Sequence, residues 1–545
     1  MRSRAVIAIA AMGGALATGG WLLQRGLEHG GGSQVGARLF SDVLDHVATK
    51  YVDSIPVGEL YTKAATGMVD GLDDPHSVYL TSDNLSTLTE STTGSYAGLG
   101  IQIDVRNGWI TIISPLPGTP AERAGIQPGD RIVAVDGKPT EGLSPDEARD
   151  ALRGPEGSKV SITVDRPGVE ALLPFTIQRA EIHVASVRHP TMLTNDVGYV
   201  DLTIFSESSD DELRDAIAGL QRRGMKTLIF DLRSNPGGLL EQGVAISDLF
   251  LNNAQKIVSI RGRAPGANHD FTDEAREIWP DMRLITLVDG HSASAAEIVA
   301  GALQDHDRSV IIGSTTYGKG SAQSVFPLGD DAGALKLTTA RWYTPSGRSI
   351  QKQQPDSAGE DDSAAGSPTP DTVAEQPLST RQTYKTDDGR LVYGGGGITP
   401  DLIVANQDSA STMLAFWRQV GQDIPAFRDA LTKYALSVKA QGGVKSPDFT
   451  VTPAMRNEFW KLAGANGVSV AKEQQDSSTK QVDELLGYEI ARFVFGTDAA
   501  FRRQVSSDRV IAAALDLARD ARSEEDLLAR AAERRAAKHE DVSQK

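Results

Sequence analysis

The feature that most limits the fold of this chain is an alternation of short apolar runs with helical segments between residues 198 and 313. The runs "GYVDLTI", "TLIFDLR", "LITLVD" and "SVIIG" are separated by segments at 210–223, 239–250 and 293–306 that have the length and composition of helices. Strands and helices that alternate in this way form βαβ units, in which helices cover both faces of a largely parallel sheet. We therefore predict an α/β core.

Other parts of the 545 residues have different patterns, so several domains are expected. Apolar residues at three- and four-residue steps predict N-terminal helices, and short β-branched runs broken by Gly and Pro predict a small β domain. A Pro-rich, Ser-rich and Asp-rich segment has too few large apolar residues to fold, which predicts a disordered insertion. The predicted domains are helical at 35–92, β at 95–182, core at 183–350, insertion at 351–390, end of the core at 391–410, and helical at 411–545.

The N-terminal segment predicts export from the cytoplasm. Arg2 and Arg4 precede an almost uncharged stretch that runs from Ala5 to Leu23. Its length is near the roughly 20 residues that cross a bilayer, and the residues at 15–17, "ALA", resemble a small-residue cleavage site. Residues 1–25 are therefore either a cleaved signal peptide or a retained membrane anchor. Both alternatives place the protein in the periplasm or cell envelope.

Charge and cysteine content exclude several kinds of site. There are 55 Lys and Arg residues against 72 Asp and Glu, a formal charge of −17, and no long basic run. Nucleic acid is therefore not expected as a partner. The absence of cysteine excludes disulfides, thiolate zinc sites and thiol nucleophiles.

Two segments follow predicted strands and precede predicted helices, where α/β folds place their sites. In "IFDLRSNPGG", Gly237 and Gly238 let the backbone approach a ligand closely, or they form a plain turn. In "GHSASAAEIVAGALQD", Ser292 and Ser294 are candidate nucleophiles on a sequence that partly matches a nucleophile elbow. The alternative is helix capping, because Ser294 and Glu297 have the spacing of a capping box.

A serine nucleophile needs a base, and the residues offer two kinds. His183, His189, His269, His291 and His306 are candidates without a distinctive motif. Lys319 lies in "YGKGSAQ" between two glycines, four residues before Gln323. A lysine has an ordinary pKa of about 10.4, so it acts as a base near neutrality only if burial disfavours its ammonium form by about 4 kcal/mol. Gln323 can accept a hydrogen bond from the amine without adding a charge, and the alternative is a solvated loop lysine.

These segments resemble the C-terminal processing peptidases, or tail-specific proteases, which are serine proteases with a Ser/Lys dyad and a PDZ domain. The matching pieces run along most of residues 60–405. They are "LDDPHSVYL", "YAGLGIQI", "GTPAERAGIQPGDRIVAVDGKPT", "LRGPEGSKV", "IFDLRSNPGG", "SASAAEIVAGALQD", "YGKGSAQ", "YTPSGRSIQ" and "GITPDL". The resemblance implies a crotonase-like (ClpP-like) α/β protease core with an inserted PDZ domain and helical N- and C-terminal regions.

The resemblance also implies roles for single residues. Ser294 is the nucleophile, Lys319 the base and Gln323 the residue that orients the amine, while the oxyanion hole is formed by backbone N–H groups of Gly238 and Ala295, with Gly237 as a further candidate. In the PDZ domain, Leu99, Gly100 and Ile101 bind the terminal carboxylate of a peptide, and Arg153 reports its presence. No metal or cofactor is required.

The resulting functional hypothesis is an extracytoplasmic serine endopeptidase that recognises and cleaves the C-terminal regions of proteins. The alternatives are an inactive PDZ scaffold that binds peptides and an acyl-CoA enzyme built on the related sheet. The expected partners are protein or peptide C-termini. The sequence leaves open an adaptor or a homodimer contact through the helical regions, and an N-terminal membrane anchor.

Overall fold

The structure of the chain, a computed structural model, describes residues 35–106, 108–329, 332–352, 378–404 and 407–543. These residues form two compact units. The smaller unit contains the described residues up to Asp83 together with Gln323–Thr338, and the larger unit contains Asn84–Ala322 and the residues from Thr339 onward. The predicted signal peptide or anchor at 1–25 lies outside the described residues. In the part of the chain that is described, no helix is both long enough and apolar enough to cross a bilayer.

The smaller unit is built from helices and a short sheet. A helix covers residues 35–50, and a second one covers Val57–Asp70. The strand Val78–Leu80 pairs antiparallel with residues 334–336. The apolar side chains of the first helix recur at helical spacing, but they are exposed: Val35, Leu39, Phe40, Val43 and Val47.

The centre of the larger unit is a six-stranded sheet whose last five strands are parallel. Every residue of Thr227–Asp231 is buried, which is expected of a strand covered on both faces. The first strand of the sheet runs antiparallel to the second. In spatial order the strands are Val187–Met192, Val197–Leu202, Thr227–Asp231, Arg283–Val288, Val310–Gly313 and Leu402–Ile403.

Alternate residues of these strands enter two different hydrophobic cores. Leu228 and Phe230 pack with the helices Ser209–Gln221, Leu240–Asp248 and Ala295–Asp305. Ile229 points to the other face of the sheet, because successive side chains of a strand alternate. There it packs with the helices Arg509–Ala518 and Glu524–Ser543. The predicted α/β layers are therefore present, and two C-terminal helices complete one of them.

A second sheet is antiparallel, and its strands Lys256–Gly262 and His269–Thr272 belong to the larger unit. Its strand Lys256–Gly262 pairs with His269–Thr272 and with residues 340–343 of the strand Ala334–Tyr343. The strand Ser321–Pro327, whose residues from Gln323 onward belong to the smaller unit, also pairs with Ala334–Tyr343. Most of the predicted insertion, residues 353–377, lies outside the described residues. Its predicted last part, 378–390, contains the strand Thr383–Lys385, which forms a hairpin with Leu391–Tyr393, so regular structure begins earlier than the composition indicates.

The β domain is an antiparallel sheet with a short helix, Pro120–Arg123, and a longer helix, Pro145–Leu152. The short strands Ser95–Gly98 and Ala180–His183 pair with each other at its two ends. Pro145–Leu152 forms a helix because Pro145 occupies its first position and Ser144 and Glu147 cap each other's backbone. The main strands, in spatial order, are Ile101–Arg106, Trp109–Pro115, Arg131–Val135, Lys159–Asp165 and Leu173–Gln178, with Lys138–Pro139 beside the third.

The rest of the C-terminal region forms a helical bundle with its own aromatic core. The rings of Phe427 and Phe459 are fully buried and their centroids lie 5.2 Å apart in an edge-to-face arrangement. The rings of Phe416, Trp417 and Trp460 pack around Phe427 in the same core. The helices are Gln407–Val420, Ile424–Gln441, Pro453–Ala465, Lys472–Ser477, Thr479–Phe495 and Thr497–Ser507.

Candidate active site

Ser294 lies at the turn between the strand Arg283–Val288 and the helix Ala295–Asp305. Its backbone has φ 54° and ψ −114°, a conformation that residues other than glycine rarely adopt. Sharp, strained turns of this kind present the nucleophile of α/β hydrolases. Among the described residues, no N–H group of the helix donates to the Ser294 hydroxyl. The Ser294 side chain is therefore not a capping group.

Ser292 has a structural role in the same turn. Its hydroxyl donates to the carbonyl of Leu232 at 2.8 Å and accepts from the N–H of Asp289 at 2.9 Å. The residue is completely buried. These contacts separate the two serines that the sequence left as alternatives, because Ser292 fixes the turn and Ser294 does not.

The carboxylate of Glu297 connects the Ser294 turn with the Lys319 loop. Its Oε2 accepts from the N–H groups of Ser294 and Lys319, each at 2.9 Å, so the two nitrogens lie within twice that distance of each other. Its Oε1 accepts from Thr316 Oγ1 at 2.5 Å and from the N–H of Gly318 at 2.7 Å. Burial raises the pKa of Glu297, and the four hydrogen bonds oppose that shift because they favour the charged form. The sequence suggested only that Ser294 and Glu297 cap each other's backbone N–H groups. Of these two bonds, the one from the N–H of Ser294 to the Glu297 carboxylate is formed.

The Lys319 loop is held by its backbone. Its C=O accepts from Trp342 Nε1 at 3.0 Å, while its N–H donates to Glu297. The N–H of Tyr317 donates to the carbonyl of Ser292 at 3.1 Å. These bonds place the Ser294 turn and the Lys319 loop side by side, although they are about 25 residues apart in the sequence. This is the arrangement that a nucleophile and its base require.

Gln323 belongs to the smaller unit and lies on the strand Ser321–Pro327. Its Nε2 donates to Thr338 Oγ1 at 3.1 Å. The orienting role that the resemblance implies for Gln323 stays a prediction.

The histidines considered as bases have other partners. None of the five forms a hydrogen bond with Ser294 within the described part of the chain. His183 lies 2.7 Å from Glu212, His306 lies 2.7 Å from Asp387, and His189 stacks on Phe501. His269 packs edge-on against Phe271, and His291 is exposed beside Asp289.

The two glycines of "NPGG" lie against the Ser294 turn. A Cβ added to Gly237 would be 2.8 Å from Ser294 Cβ and 3.0 Å from the N atom of Ala295. The backbone of Asn235 holds the glycine segment against the Ser294 turn, because the C=O of Asn235 accepts from the N–H of Ala293 at 2.9 Å. Its Oδ1 accepts from Gly237 N–H at 2.8 Å. Gly237 is therefore not available as an oxyanion donor in this structure.

The N–H groups of Gly238 and Ala295 differ from that of Gly237. The C=O of Gly237 and the N–H of Leu239 both bond to Phe205, so the N–H of Gly238 points away from Phe205. Ala295 is the first residue of its helix, where N–H groups lack helical acceptors. Among the described residues, neither N–H has an acceptor. These two groups can stabilise an oxyanion next to Ser294.

The segment before the glycines is anchored by buried charges. Arg233 pairs with Asp231 at 2.6 Å and with Asp508 at 2.7 Å, and Asp508 caps the helix Arg509–Ala518. Burial and the neighbouring Asp231 raise the pKa of Asp201 to about 7. The carboxylates and arginine thus connect the sheet edge that carries the site to the C-terminal helices. Sequence reasoning did not identify this cluster.

The predicted peptide-binding loop lies at one end of a groove in the β domain. The groove has a volume of about 350 Å³ and lies between the strand Ile101–Arg106 and the helix Pro145–Leu152. Leu99 and Ile101 line it. Gly100 has φ +73°, and a Cβ there would lie 2.3 Å from Thr119, so only glycine fits.

Arg153 lies at the rim of the same groove. Its guanidinium is 2.5 Å from Glu90 and lies over the ring of Tyr96, 5.1 Å from the ring centroid. Burial raises the pKa of Tyr96, and the charge of Arg153 opposes that shift. The role of Arg153 as a reporter of peptide binding stays a prediction.

Replacing Gly238 by Ala tests the oxyanion position. The new Cβ would lie 2.1 Å from the Phe205 carbonyl oxygen, so the segment must move and shift its N–H. Loss of one such donor lowers kcat by about 10²–10³-fold, and we expect that loss in kcat for a peptide substrate. Gly266→Ala is the matched control, because its φ is also positive but no atom lies within 4 Å of the added Cβ. A Gly238→Ala enzyme as active as the Gly266→Ala enzyme would refute the assignment.

Comparisons with known proteins agree with this geometry. A sequence profile of peptidase family S41 matches residues 196–358, and a profile of the PDZ domain matches residues 111–166. The chain is 41% identical over 356 residues to the carboxy-terminal-processing protease of Bartonella bacilliformis, an alignment that covers 65% of this chain and 77% of that protein. It is 35% identical over 346 residues to the carboxy-terminal processing protease CtpA of Bacillus subtilis, with 63% and 72% covered.

A third relative has the same description. The chain is 38% identical over 325 residues to the carboxyl-terminal-processing protease of Synechocystis, with 59% of this chain and 72% of that protein covered. The family S41 profile covers the Ser294 turn and the Lys319 loop, and the PDZ profile covers the part of the β domain that contains the helix Pro145–Leu152. The chain belongs to the carboxy-terminal processing proteases of peptidase family S41, which are serine peptidases, and it carries a PDZ domain.

Proposed function

We propose that this protein is an extracytoplasmic endopeptidase that recognises the C-termini of protein substrates and cuts them through a Ser/Lys acyl-enzyme. The observation that carries the proposal is the single carboxylate of Glu297, which holds the backbones of Ser294 and Lys319 next to each other. The export signal predicted at residues 1–25 supports the location. The crotonase-like description of the core is part of the same proposal and is supported by the parallel sheet and its helices.

In the proposed mechanism, the neutral amine of Lys319 takes the proton of Ser294 Oγ as that oxygen attacks the scissile carbonyl. The negative charge that develops on the carbonyl oxygen is stabilised by the N–H groups of Gly238 and Ala295. The ammonium of Lys319 then gives its proton to the leaving amine. In the second half, Lys319 takes a proton from the water that attacks the acyl-enzyme. The ammonium then returns this proton to Ser294 Oγ as the bond between that oxygen and the acyl carbon breaks, which regenerates the neutral amine.

The PDZ groove supplies the tail recognition in this proposal. An extended peptide can add to the edge of Ile101–Arg106 by backbone hydrogen bonds, with its terminal carboxylate at the Leu99–Ile101 loop. An adaptor, a homodimer contact and an N-terminal membrane anchor are further proposals, which stand on the helical regions and the N-terminal sequence.

Cleavage of one unfolded substrate with two different ends tests the function. With an apolar C-terminal residue and a free carboxylate, we expect kcat/KM at least about tenfold higher than with the same residue amidated, since amidation removes the charge that the loop binds. Ser294→Ala should remove cleavage of both substrates while the protein still binds the free tail. Binding without cleavage by the unmodified protein would instead favour the scaffold alternative, and equal rates on the two substrates would refute tail recognition.

A further inference from the structure

The PDZ groove has an open strand edge along its length. Ile101–Arg106 pairs with Trp109–Pro115 on one side, and no strand of the described residues pairs with its other edge. That edge and the helix Pro145–Leu152 form the two walls of the groove. A peptide bound there runs antiparallel to Ile101–Arg106, starting from its carboxylate at the Leu99–Ile101 loop.

The far end of this strand is held by the C-terminal helical bundle. The buried guanidinium of Arg106 donates to Thr432 Oγ1, and it lies 3.4 Å from Glu489. Arg131, two strands away, pairs with Asp429. Thr432 and Asp429 both belong to the helix Ile424–Gln441. This helix is therefore fixed against the β domain at the end of the groove where the upstream residues of a bound tail would lie.

One residue of this helix lies next to a residue that lines the groove. Arg428 Nη1 lies 3.7 Å from Asp104 Oδ2, and Asp104 lines the groove. Asp104 is already paired with Arg106 Nε at 3.1 Å. The side chain of Arg428 is 54% exposed, whereas that of Arg106 is 7% exposed. Arg428 is thus the accessible positive charge at this position.

The neighbouring charges leave an excess of positive charge around Asp104. Glu489 is shared between Arg106 and Arg492, which lies 2.8 Å away. The cluster therefore contains three arginines and two carboxylates: Arg106, Arg428, Arg492, Asp104 and Glu489. On the opposite wall, Arg149 is 2.8 Å from Asp146 and 3.2 Å from Asp150, so that wall has no unbalanced positive charge. An acidic side chain of the peptide is the group that would balance Arg428.

The pairing register between the peptide and Ile101–Arg106 determines which peptide residue lies near Arg428. With the carboxylate at the loop, the last residue of the peptide lies opposite Ile101, so the fourth residue from the C-terminus lies opposite Asp104. Residues directly opposite each other in an antiparallel pair place their side chains on the same face. We propose that Arg428, supplied by the C-terminal helical bundle, selects substrate tails with Asp or Glu as the fourth residue from the end.

The inference rests on the proposed tail recognition, and binding by a cleavage-inactive chain tests it. Fluorescence anisotropy with the full-length Ser294→Ala protein would compare three labelled peptides that end in the same apolar residue and carry Glu, Gln or Lys at the fourth position from the end. We expect Glu to bind about two- to fivefold more tightly than Gln, the range of an exposed ion pair. The preference should shrink as salt is raised.

Substitutions at Arg428 identify the responsible group. Arg428→Gln should abolish the difference between Glu and Gln peptides, and Arg428→Glu should favour the Lys peptide. Lys439→Gln is the matched control, because it removes an exposed positive charge from the same helix eleven residues further along, about 16 Å away. It should leave the preference unchanged.

The outcomes separate the two proposals. A Glu preference that persists in Arg428→Gln, or equal binding of the three peptides by the parent protein, would overturn the role of Arg428 while leaving tail recognition intact. If none of the three peptides binds, and amidation changes nothing, the proposed tail recognition fails and the inference fails with it.

Discussion

Replacement of Lys319 by Met should lower kcat/KM for a peptide substrate by about 10³–10⁴-fold, near the upper end of what a general base contributes. Met keeps the unbranched stem of the side chain, with sulfur in place of Cδ, and lacks the amine. The loop should keep its position, because Lys319 is held through its own N–H and C=O by Glu297 and Trp342. We therefore expect a folded protein with an unchanged thermal midpoint and almost no turnover.

Initial rates over a range of pH make this result specific. Activity of the unmodified enzyme should rise with pH as the Lys319 amine loses its proton, and the residual activity of Lys319→Met should lack that rise. Lys226→Met, which removes an exposed amine from the same unit, is the control and should leave rates unchanged. Turnover by Lys319→Met within tenfold of the unmodified enzyme would exclude a lysine base.

Replacement of Glu297 by Gln should damage both stability and catalysis, although the two side chains have nearly the same shape. Each carboxylate oxygen of Glu297 accepts two hydrogen bonds, and Gln must place an NH₂ group at one of these positions. Two donors then face a donor in a fully buried site. Each buried donor without an acceptor costs about 1–3 kcal/mol, so we expect the two donors together to lower the unfolding free energy by roughly 2–6 kcal/mol.

The effect on catalysis should appear even where the variant is folded. If the amide replaces Oε2, the backbones of Ser294 and Lys319 both lose their acceptor, and a displacement near 1 Å costs about 10²-fold in rate. kcat measured well below the thermal midpoint of Glu297→Gln should fall by about that factor, with KM little changed. Glu241→Gln, on an exposed position of a neighbouring helix, is the control. A Glu297→Gln enzyme with unchanged kcat would mean that the carboxylate does not position the dyad.

The α/β alternation was sufficient to predict the core and the edge of the sheet that carries the site. Ser294 and the glycines at 237 and 238 each follow a strand of one parallel sheet, and the carboxyl ends of such strands meet at one edge. The link between Ser294 and Lys319 could not be predicted in this way. Glu297 has the spacing of a local capping residue, and no periodic pattern shows that its carboxylate also accepts bonds from a loop more than twenty residues later.

In the C-terminal region, the helices could be predicted from the sequence but their contacts with the rest of the chain could not. The sequence predicted that residues 411–545 are helical, and the structure has helices there, with Phe427 and Phe459 in a core of their own. The surfaces that these helices contact depend on single long-range pairs. Arg233 with Asp508 and Arg131 with Asp429 join positions hundreds of residues apart, and an isolated charge in a sequence does not indicate its partner.

The helices that cover one face of the central sheet have a consequence for biosynthesis. Arg509–Ala518 and Glu524–Ser543 shield Ile229, Ile285 and Leu287, yet they follow Ser294 and Lys319 by well over a hundred positions in the polypeptide. Those apolar strands have no cover until these two helices are available to pack on them. We therefore expect the sheet that positions Ser294 to reach its folded state late, after the segment 509–543 has been synthesised.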